Sequence, residues 1–477
     1  MPVLVSAKGR CNVGGGVSMT VIVNTKVGEC RGRTRVWLEG AKLSRYGIHP
    51  GCRYSVSSSN GRIVLNTDGG RYKVSQRKRG DRTLPVMDLT MAEIAATFHV
   101  YQLLRVTIRH GKITITEHHL NKAVQEREKR IVGKLRSGEP LTVASFFTGF
   151  GVLDLAVHTG FARSGISSGV RMAVECEQKY LDVGLRNNAS IWGQDPYIYE
   201  SKIEHVPTDD FYPAAEILIA GVPCTGASRA GISKNKLQNA EDHTTAGAAF
   251  YWTLRLLEQL NPAVFIMENV PEYLRTASMS VIRSVLDTFG YELTERVMSG
   301  NDFGALENRS RAVVVAISKG LSGFDLDDVV SLYEKAADMS CALDPVADDS
   351  ALWRPYEYLA AKEESDKAAG KGFRRQILDS SAERCGTIGR GYAKGRSTEP
   401  LLAHPRQSGL FRQLTPAEHC RVKRIPESLI RSECATTAHE GVGQSVIFSV
   451  FESMAVSLGK WLKEAAESWF PAWRVAA

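Results

Sequence analysis

The strongest chemical signal in the chain is one cysteine. Ile217-Leu218-Ile219-Ala220 is a short apolar run that reads as a buried strand, and it passes through Gly221-Val222-Pro223 into Cys224. Proline fixes its own φ and removes a donor, so the strand stops there. The thiol is then presented just beyond a strand end, where α/β sheets hold their ligands. Taken alone, a single cysteine reads first as a buried structural thiol. Two further groups alter that balance. Ala263-Val264-Phe265-Ile266-Met267 is a second buried strand and ends in Glu268-Asn269-Val270. A carboxylate behind such a run is costly unless it is paired or used. Asn308-Arg309-Ser310-Arg311 leads into a third strand, Ala312 to Ile317, with Arg309 and Arg311 on one face. Together these supply a nucleophile, a proton donor or hydrogen-bond partner, and cations to stabilise developing negative charge.

The elements that must position these groups read as alternating strands and helices. Leu141-Thr142-Val143-Ala144-Ser145-Phe146 runs into Phe147-Thr148-Gly149-Phe150-Gly151 and then a helix through Leu153, Leu155 and Ala156. Glycines at such a turn let backbone N–H groups approach a ligand at a helix N-terminus. Ala173-Val174-Glu175 is a further strand ending in an acid, of the kind that grips ribose hydroxyls. Thr225 to Gly247 is a polar stretch rich in Gly, Ser and Thr, long enough to be a loop over a site. Tyr251 to Leu260 is an amphipathic helix stopped by Asn261-Pro262, and Val446 to Leu462 is an apolar helix expected to return to the core.

A chain of 477 residues exceeds a single core, so two or three domains are expected. With 43% hydrophobic and 23% charged residues the composition is that of an ordinary globular protein. It contains no uncharged apolar run of membrane-spanning length, and Met1 to Ser6 does not open a signal peptide. Nine cysteines without a C-x-x-C pair argue against a disulfide framework and against zinc, and a reducing cytoplasm is the expected location. Residues 1–140 hold 25 Lys+Arg against 10 Asp+Glu, whereas the remainder holds 35 against 42. Such a basic N-terminal third is the footprint of a polyanion partner.

Residues 1–120 read as a β-rich basic domain of short strands at Val21-Ile22-Val23, Arg35 to Leu38, Tyr54 to Val56, Arg62 to Leu65 and Arg105 to Ile108. Asn60-Gly61 marks a hairpin, and Arg77, Lys78 and Arg79 suit phosphates. Residues 121–140, dense in charge at helical spacing, are expected to form a linker helix. Arg35 to Leu65 resembles the small swapped-hairpin DNA-binding regulators and SymE-like toxins.

The order Phe-x-Gly-x-Gly, Glu175, Gly-Val-Pro-Cys, Glu-Asn-Val, Arg-x-Arg resembles the DNA (cytosine-5)-methyltransferases. Arg412-Gln413-Leu414-Thr415-Pro416-Ala417-Glu418 and Gly443-Gln444-Ser445-Val446 extend the resemblance, which covers residues 141–320 and about 405–460. Departures are Val152 and Ala156 for glycines, Thr225 for Gln, Ala227 for Phe, Glu307 for Gln, and Gln444-Ser445 for Asn-Ala.

The resemblance implies a Rossmann-like, S-adenosylmethionine-dependent α/β core over 141–320. A target-recognition domain would be inserted at 321–404, and 405–477 would return to the core. It implies Cys224 as nucleophile, Glu268 at ring nitrogen 3 of cytosine, and Arg309 with Arg311 at the pyrimidine carbonyl. Phe147, Gly149, Gly151, Glu175, Pro223, Gln444 and Ser445 would hold the cofactor. Because the attacked atoms lie inside a base stack, the cytosine must be flipped out. Double-stranded DNA would be met by Ser228, Arg374, Arg375, Thr387, Ile388 and Arg390, with no metal, no membrane and a monomeric protein. A tRNA or RNA cytosine-5 methyltransferase shares this core, and a non-catalytic DNA-binding regulator built on it stays open. A nicotinamide enzyme would share the glycine turn but has no need of Pro-Cys and Glu-Asn-Val.

Overall fold

Side-chain alternation defines the centre of the molecule. In the strand Val264–Asn269, Val264 and Ile266 join one apolar cluster while Phe265 and Met267 join another. That is the behaviour of a strand buried on both faces. The structure, a computed structural model, describes residues 19–208, 212–223, 247–321 and 323–470. Its contacts divide the chain into two compact units, Met1–Ala123 with Phe470–Ala477, and Val124–Trp469.

The second unit is built on a seven-stranded sheet. β1 (Leu141–Phe146) is flanked on one side by β2 (Ser168–Glu175) and β3 (Trp192–Glu200), and on the other by β4 (Ile217–Gly221) and β5 (Val264–Asn269), all parallel. A hairpin of β6 (Tyr291–Ser299) and β7 (Ser310–Ser318) closes it, with β7 antiparallel to both neighbours, so the order is β3-β2-β1-β4-β5-β7-β6. The order reverses between β1 and β4, and the crevice at their carboxyl ends is where such sheets bind ligands.

Helices cover both faces. The helix α1 (His119–Ser137) crosses from one unit into the other. Its Ile131 and Val132 pack with α2 (Val152–Arg163) on one face of the sheet. After α3 (Gln178–Asn187), α4 (Ala249–Leu260) and α5 (Ala277–Thr288) cover the opposite face. Further along come α6 (Pro416–Val422), α7 (Ala435–Gln444) and the apolar α8 (Phe448–Ser468), which joins α2. A Cβ at Gly160 of α2 would sit 2.6 Å from both Ala455 Cβ and the Glu452 carbonyl, so only glycine allows that approach. No single helix among the described residues is long and apolar enough to cross a membrane.

The charged α1 is more than a tether. Buried Glu216 accepts from Arg130 Nε at 2.7 Å, Lys134 Nζ at 2.6 Å and the Thr142 amide at 2.7 Å. Buried Arg127 lies 3.7 Å over the Tyr291 ring and donates to the carbonyls of Phe289 and Gly290. Beyond the seven-stranded sheet, Leu306, Met339, Cys385, Ile388, Tyr392, Leu402 and Leu414 share a smaller core. It lies beside a three-stranded sheet of Gln376–Leu378, Pro400–Ala403 and Phe411–Arg412.

The first unit holds a six-stranded and a four-stranded antiparallel sheet around its own core. The Asn60-Gly61 turn has positive φ at both residues, 48° and 68°, as a tight hairpin requires.

Candidate active site

The turn after β1 is conformationally demanding. Phe147, Gly149 and Gly151 all have left-handed φ, of 60°, 56° and 74°. Nothing lies within 4 Å of a Cβ built on Gly149, so the turn faces open space there. One built on Gly151 would meet Asn188 Nδ2 at 2.6 Å. Asn188 in turn donates to the carbonyls of Phe150 and Gly151. At the end of β2, the Glu175 carboxylate accepts from the amides of Gly149 at 2.8 Å and Glu177 at 2.9 Å. Phe147, Gly149, Gly151 and Glu175 thus form one constellation. The helix carrying Gln444 packs on it, since a Cβ at Gly441 would overlap the Phe150 ring. Ser445 Oγ donates to the Gly441 carbonyl, and the Gln444 carbonyl accepts from Arg309 at 3.3 Å.

The ends of β4 and β5 meet this turn. Gly221 pairs in register with Glu268. A Cβ on Gly221 would lie 3.8 Å from the Phe147 carbonyl and 3.9 Å from Glu268 Oε2. Arg311 Nε lies 2.8 Å from Glu268 Oε1, with both side chains 15% exposed, so the carboxylate is held but still reachable. Pro223 is half-buried. Buried Asn269 donates to the Val222 carbonyl at 3.1 Å and accepts from the Val270 amide, locking the chain just before Cys224. Cys224 and Ser228 lie outside the described residues, as does the rest of the stretch 225–246 expected to cover the site.

Arg309 goes elsewhere than Arg311. Its side chain is 6% exposed, with Nη1 at 3.7 Å from Glu307 Oε1. Glu307 is fully buried, accepts from the Ile388 amide at 3.2 Å and faces the Lys423 ammonium at 3.5 Å. Lys423, also fully buried, donates to the carbonyls of Val442 and Ser445. Burial pushes its ammonium down to about 7, against the pull of Glu307. No sequence pattern links residues 307 and 423, and the network was missed for that reason. The Thr415–Glu418 segment did carry a readable signal. It forms a capping box at α6, and Arg412 adds a buried bidentate pair to Glu418.

The expected DNA contacts divide. Thr387 and Arg390 are exposed, with Thr387 Oγ1 donating to the Asn308 carbonyl and Arg390 lying 3.7 Å from Glu177. Arg374 is exposed, whereas Arg375 is held by Glu363 through both its amide and its Nε. Ile388 requires correction: it is fully buried in the smaller core, where an apolar side chain gains most, and cannot reach a base. Arg77, Lys78 and Arg79 lie on an exposed strand of the first unit, Arg77 pairing with Glu39 at 3.3 Å.

The sheet order, the glycine turn with its acid and the convergence of β4 and β5 define a Rossmann-like methyltransferase fold. The S. pombe Dnmt2 methyltransferase structure shares it, with a TM-score of 0.55 at 19% identity over 67% of this chain and 98% of that one. Residues 141–460 match the C-5 cytosine-specific DNA methylase family, and the chain belongs to that family of enzymes. Type II methyltransferase M.Bsp6I of Bacillus sp. (strain RFL6) is 27% identical over 345 residues, 67% of this chain and 99% of that protein. Type II methyltransferase M.SsoII of Shigella sonnei is 27% identical over 257 residues, 51% of this chain. That alignment spans 63% of the Shigella protein, just under two thirds.

Proposed function

We propose that the protein methylates carbon 5 of a flipped cytosine in a specific DNA sequence through a covalent adduct at Cys224. The observation that carries this reading is the meeting of three strand ends. The chain into Cys224 is held by Asn269, beside a Glu268 carboxylate fixed by Arg311 and within reach of the Phe147 turn. Addition of the thiolate to carbon 6 breaks the 5,6 double bond, and the electron pair moves toward carbon 5 and ring nitrogen 3. Glu268 then shares a proton with nitrogen 3, and positive charge from Arg311 stabilises the arrangement. Loss of the carbon 5 proton after alkylation expels the thiolate and restores the ring.

The residues present fit S-adenosylmethionine. Each Glu175 oxygen takes one backbone amide and keeps a lone pair for a ribose hydroxyl, and Gly149 leaves space above the turn. When bound, the cofactor supplies the electrophilic methyl group. Phe147, Gly151, Pro223, Gln444 and Ser445 complete its surroundings. Arg374, Thr387 and Arg390, with Ser228, are assigned to the DNA duplex, and the basic first unit adds affinity for it. Methyl transfer to duplex DNA from labelled S-adenosylmethionine tests the mechanism. Cys224→Ala is expected to abolish transfer while DNA and cofactor still bind, and near-normal transfer by that variant refutes the adduct. Transfer to tRNA in place of duplex DNA would overturn the substrate.

A further inference from the structure

The first unit is one fold written twice. Strand Arg33–Glu39, helix Ala41–Arg45 and the hairpin Arg53–Ser59/Arg62–Asn66 recur in order. Their counterparts are strand Arg82–Leu89, helix Ala92–Thr97 and the hairpin Leu103–Arg109/Lys112–Glu117. Buried Val36, Leu38 and Leu43 return as Met87, Leu89 and Ile94, and Ile63 and Leu65 as Ile113 and Ile115. Gly51, at φ 87°, returns as Tyr101, held at φ 68°. A non-glycine residue in that region marks a position imposed by the surrounding fold.

The two halves are related by a local two-fold. Val36 pairs with Leu89 and Leu38 with Met87, while Ile63 pairs with Ile115 and Leu65 with Ile113. Exchanging the halves reproduces each set. Backbone bonds are reciprocal too. The Gly51 amide donates to Val74 O and the Val74 amide to Cys52 O, just as the Tyr101 amide donates to Val27 O and the Val27 amide to Gln102 O. Each half therefore lays its leading strand against the other.

Charge is distributed unevenly over the four-stranded sheet. Across the middle of the four-stranded sheet the cations are neutralised: Arg35 makes a bidentate pair with Asp88, and Arg77 meets Glu39. At the two ends they are not. One hairpin, between Gly28–Cys30 and Arg33–Glu39, turns at Arg31-Gly32. Its counterpart, between Ser75–Arg79 and Arg82–Leu89, turns at Gly80-Asp81 and is longer. Arg33 and Arg82 are each the first residue after their turn, Arg82 lying two residues further out on the longer hairpin, where Leu84 is the two-fold counterpart of Arg33. With Arg31, Lys78 and Arg79 they are exposed and carry no ion pair among the described residues.

We propose that this unit is a single-chain two-fold reader of duplex DNA, and that its preferred site is an imperfect inverted repeat distinct from the methylated sequence. The proposal rests on the reading of the first unit as a DNA-binding body. A duplex is the polyanion whose own dyad matches two cationic hairpins at corresponding ends of a two-fold sheet, and two-fold proteins bind paired half-sites. The unequal hairpins make the half-sites unequal, the one under Arg79 and Arg82 being the stronger.

Selection by the full-length protein from a random duplex pool, without cofactor, tests this. The expected result is an enriched inverted repeat besides the methylated sequence. Arg33→Ala should weaken one half-site and Arg82→Ala the other, each on the order of tenfold. Neither should change which sequence the protein methylates. If both variants weaken all duplexes alike and no repeat is enriched, the unit binds DNA but the two-fold reading is overturned. If neither variant alters duplex binding at all, the underlying assignment of this unit to DNA falls with it.

Discussion

Replacing Lys423 by methionine removes one partner of the buried pair that carries Arg309. Glu307 would keep the Ile388 amide and the more distant Arg309 but lose the ammonium 3.5 Å away. Breaking a buried ion pair from one side costs about 3–5 kcal/mol. Unfolding entropy near 2 cal/mol/K per residue, over the roughly 350 residues of the unit Val124–Trp469, is about 0.7 kcal/mol/K. Lys423→Met should therefore lower Tm by ~4–7 °C. Glu307→Gln should cost less, because burial already holds Lys423 at about 7 and the ammonium can shed its proton. The sign follows from linkage. The unfolded chain binds this proton up to 10.5 and the folded chain only up to about 7, so the burden of Lys423 falls as pH rises through that window. In Glu307→Gln the folded value drops further, so its deficit is widest at low pH and narrows above neutrality. Combining both substitutions removes both charges and should recover most of the loss. Thermal unfolding of the three variants and the parent at acidic and alkaline pH is the assay. An unchanged Tm for Lys423→Met, or a double variant that falls by the sum of the singles, refutes the coupling.

Three other expectations are simpler to check. Glu175→Ala should weaken S-adenosylmethionine binding by about 1–3 kcal/mol in calorimetry, the loss of charged hydrogen bonds, and unchanged affinity would move the ribose contact to a residue such as Glu177. Asn269→Ala frees the Val222 carbonyl, so methyl transfer should slow while cofactor affinity holds; an unaltered rate would remove Asn269 from the positioning of Cys224. Burial lowers His439 to about 4 from 6.5, so the unfolded chain takes the proton first and stability falls as pH drops from 6.5 toward 4, by up to about 3 kcal/mol. His439→Asn should flatten that acid limb of the stability profile, measured by denaturant unfolding, and an unchanged limb would contradict the assignment.

The strand ends were legible because their signals are local. An apolar run and a breaker fix where Pro223, Glu268 and Glu175 fall, and the sheet order then brings those ends together. Partner choice was not legible. The two-residue spacing of Arg309 and Arg311 put them on one face, yet Arg311 serves Glu268 while Arg309 serves Glu307 and the Gln444 carbonyl. The duplication in the first unit was half visible. Arg35 to Leu65 has the glycines and the Asn-Gly turn that make a pattern, whereas its second copy keeps the buried positions and one turn glycine, Gly111, and forces Tyr101 into the place of Gly51. Apolar identity is loosely coded, and a repeat preserved mainly in its core leaves little trace along the chain.

Charge was the most misleading signal, and the reason is physical. A run such as Arg127 to Arg136 reads as a solvated helix because ionic side chains are rarely buried unpaired. Here the pairing partners are far away in sequence: Glu216 for Arg130 and Lys134, and Ser318 and the Gly290 carbonyl for Arg127. The same holds for Glu307 and Lys423. These buried groups are directional, so each ties one element to another at a fixed angle, which apolar packing alone does less sharply. Glu216 fastens α1 to the start of β4 through Arg130 and Lys134, and also accepts from the first turn of β1 through the Thr142 amide. Glu307 fastens the approach to β7 to the smaller core through Ile388 and to the end of α7 through Lys423. Arg309 lies 3.7 Å from Glu307, which is why removing one buried charge should be felt at Arg309 as well as in Tm.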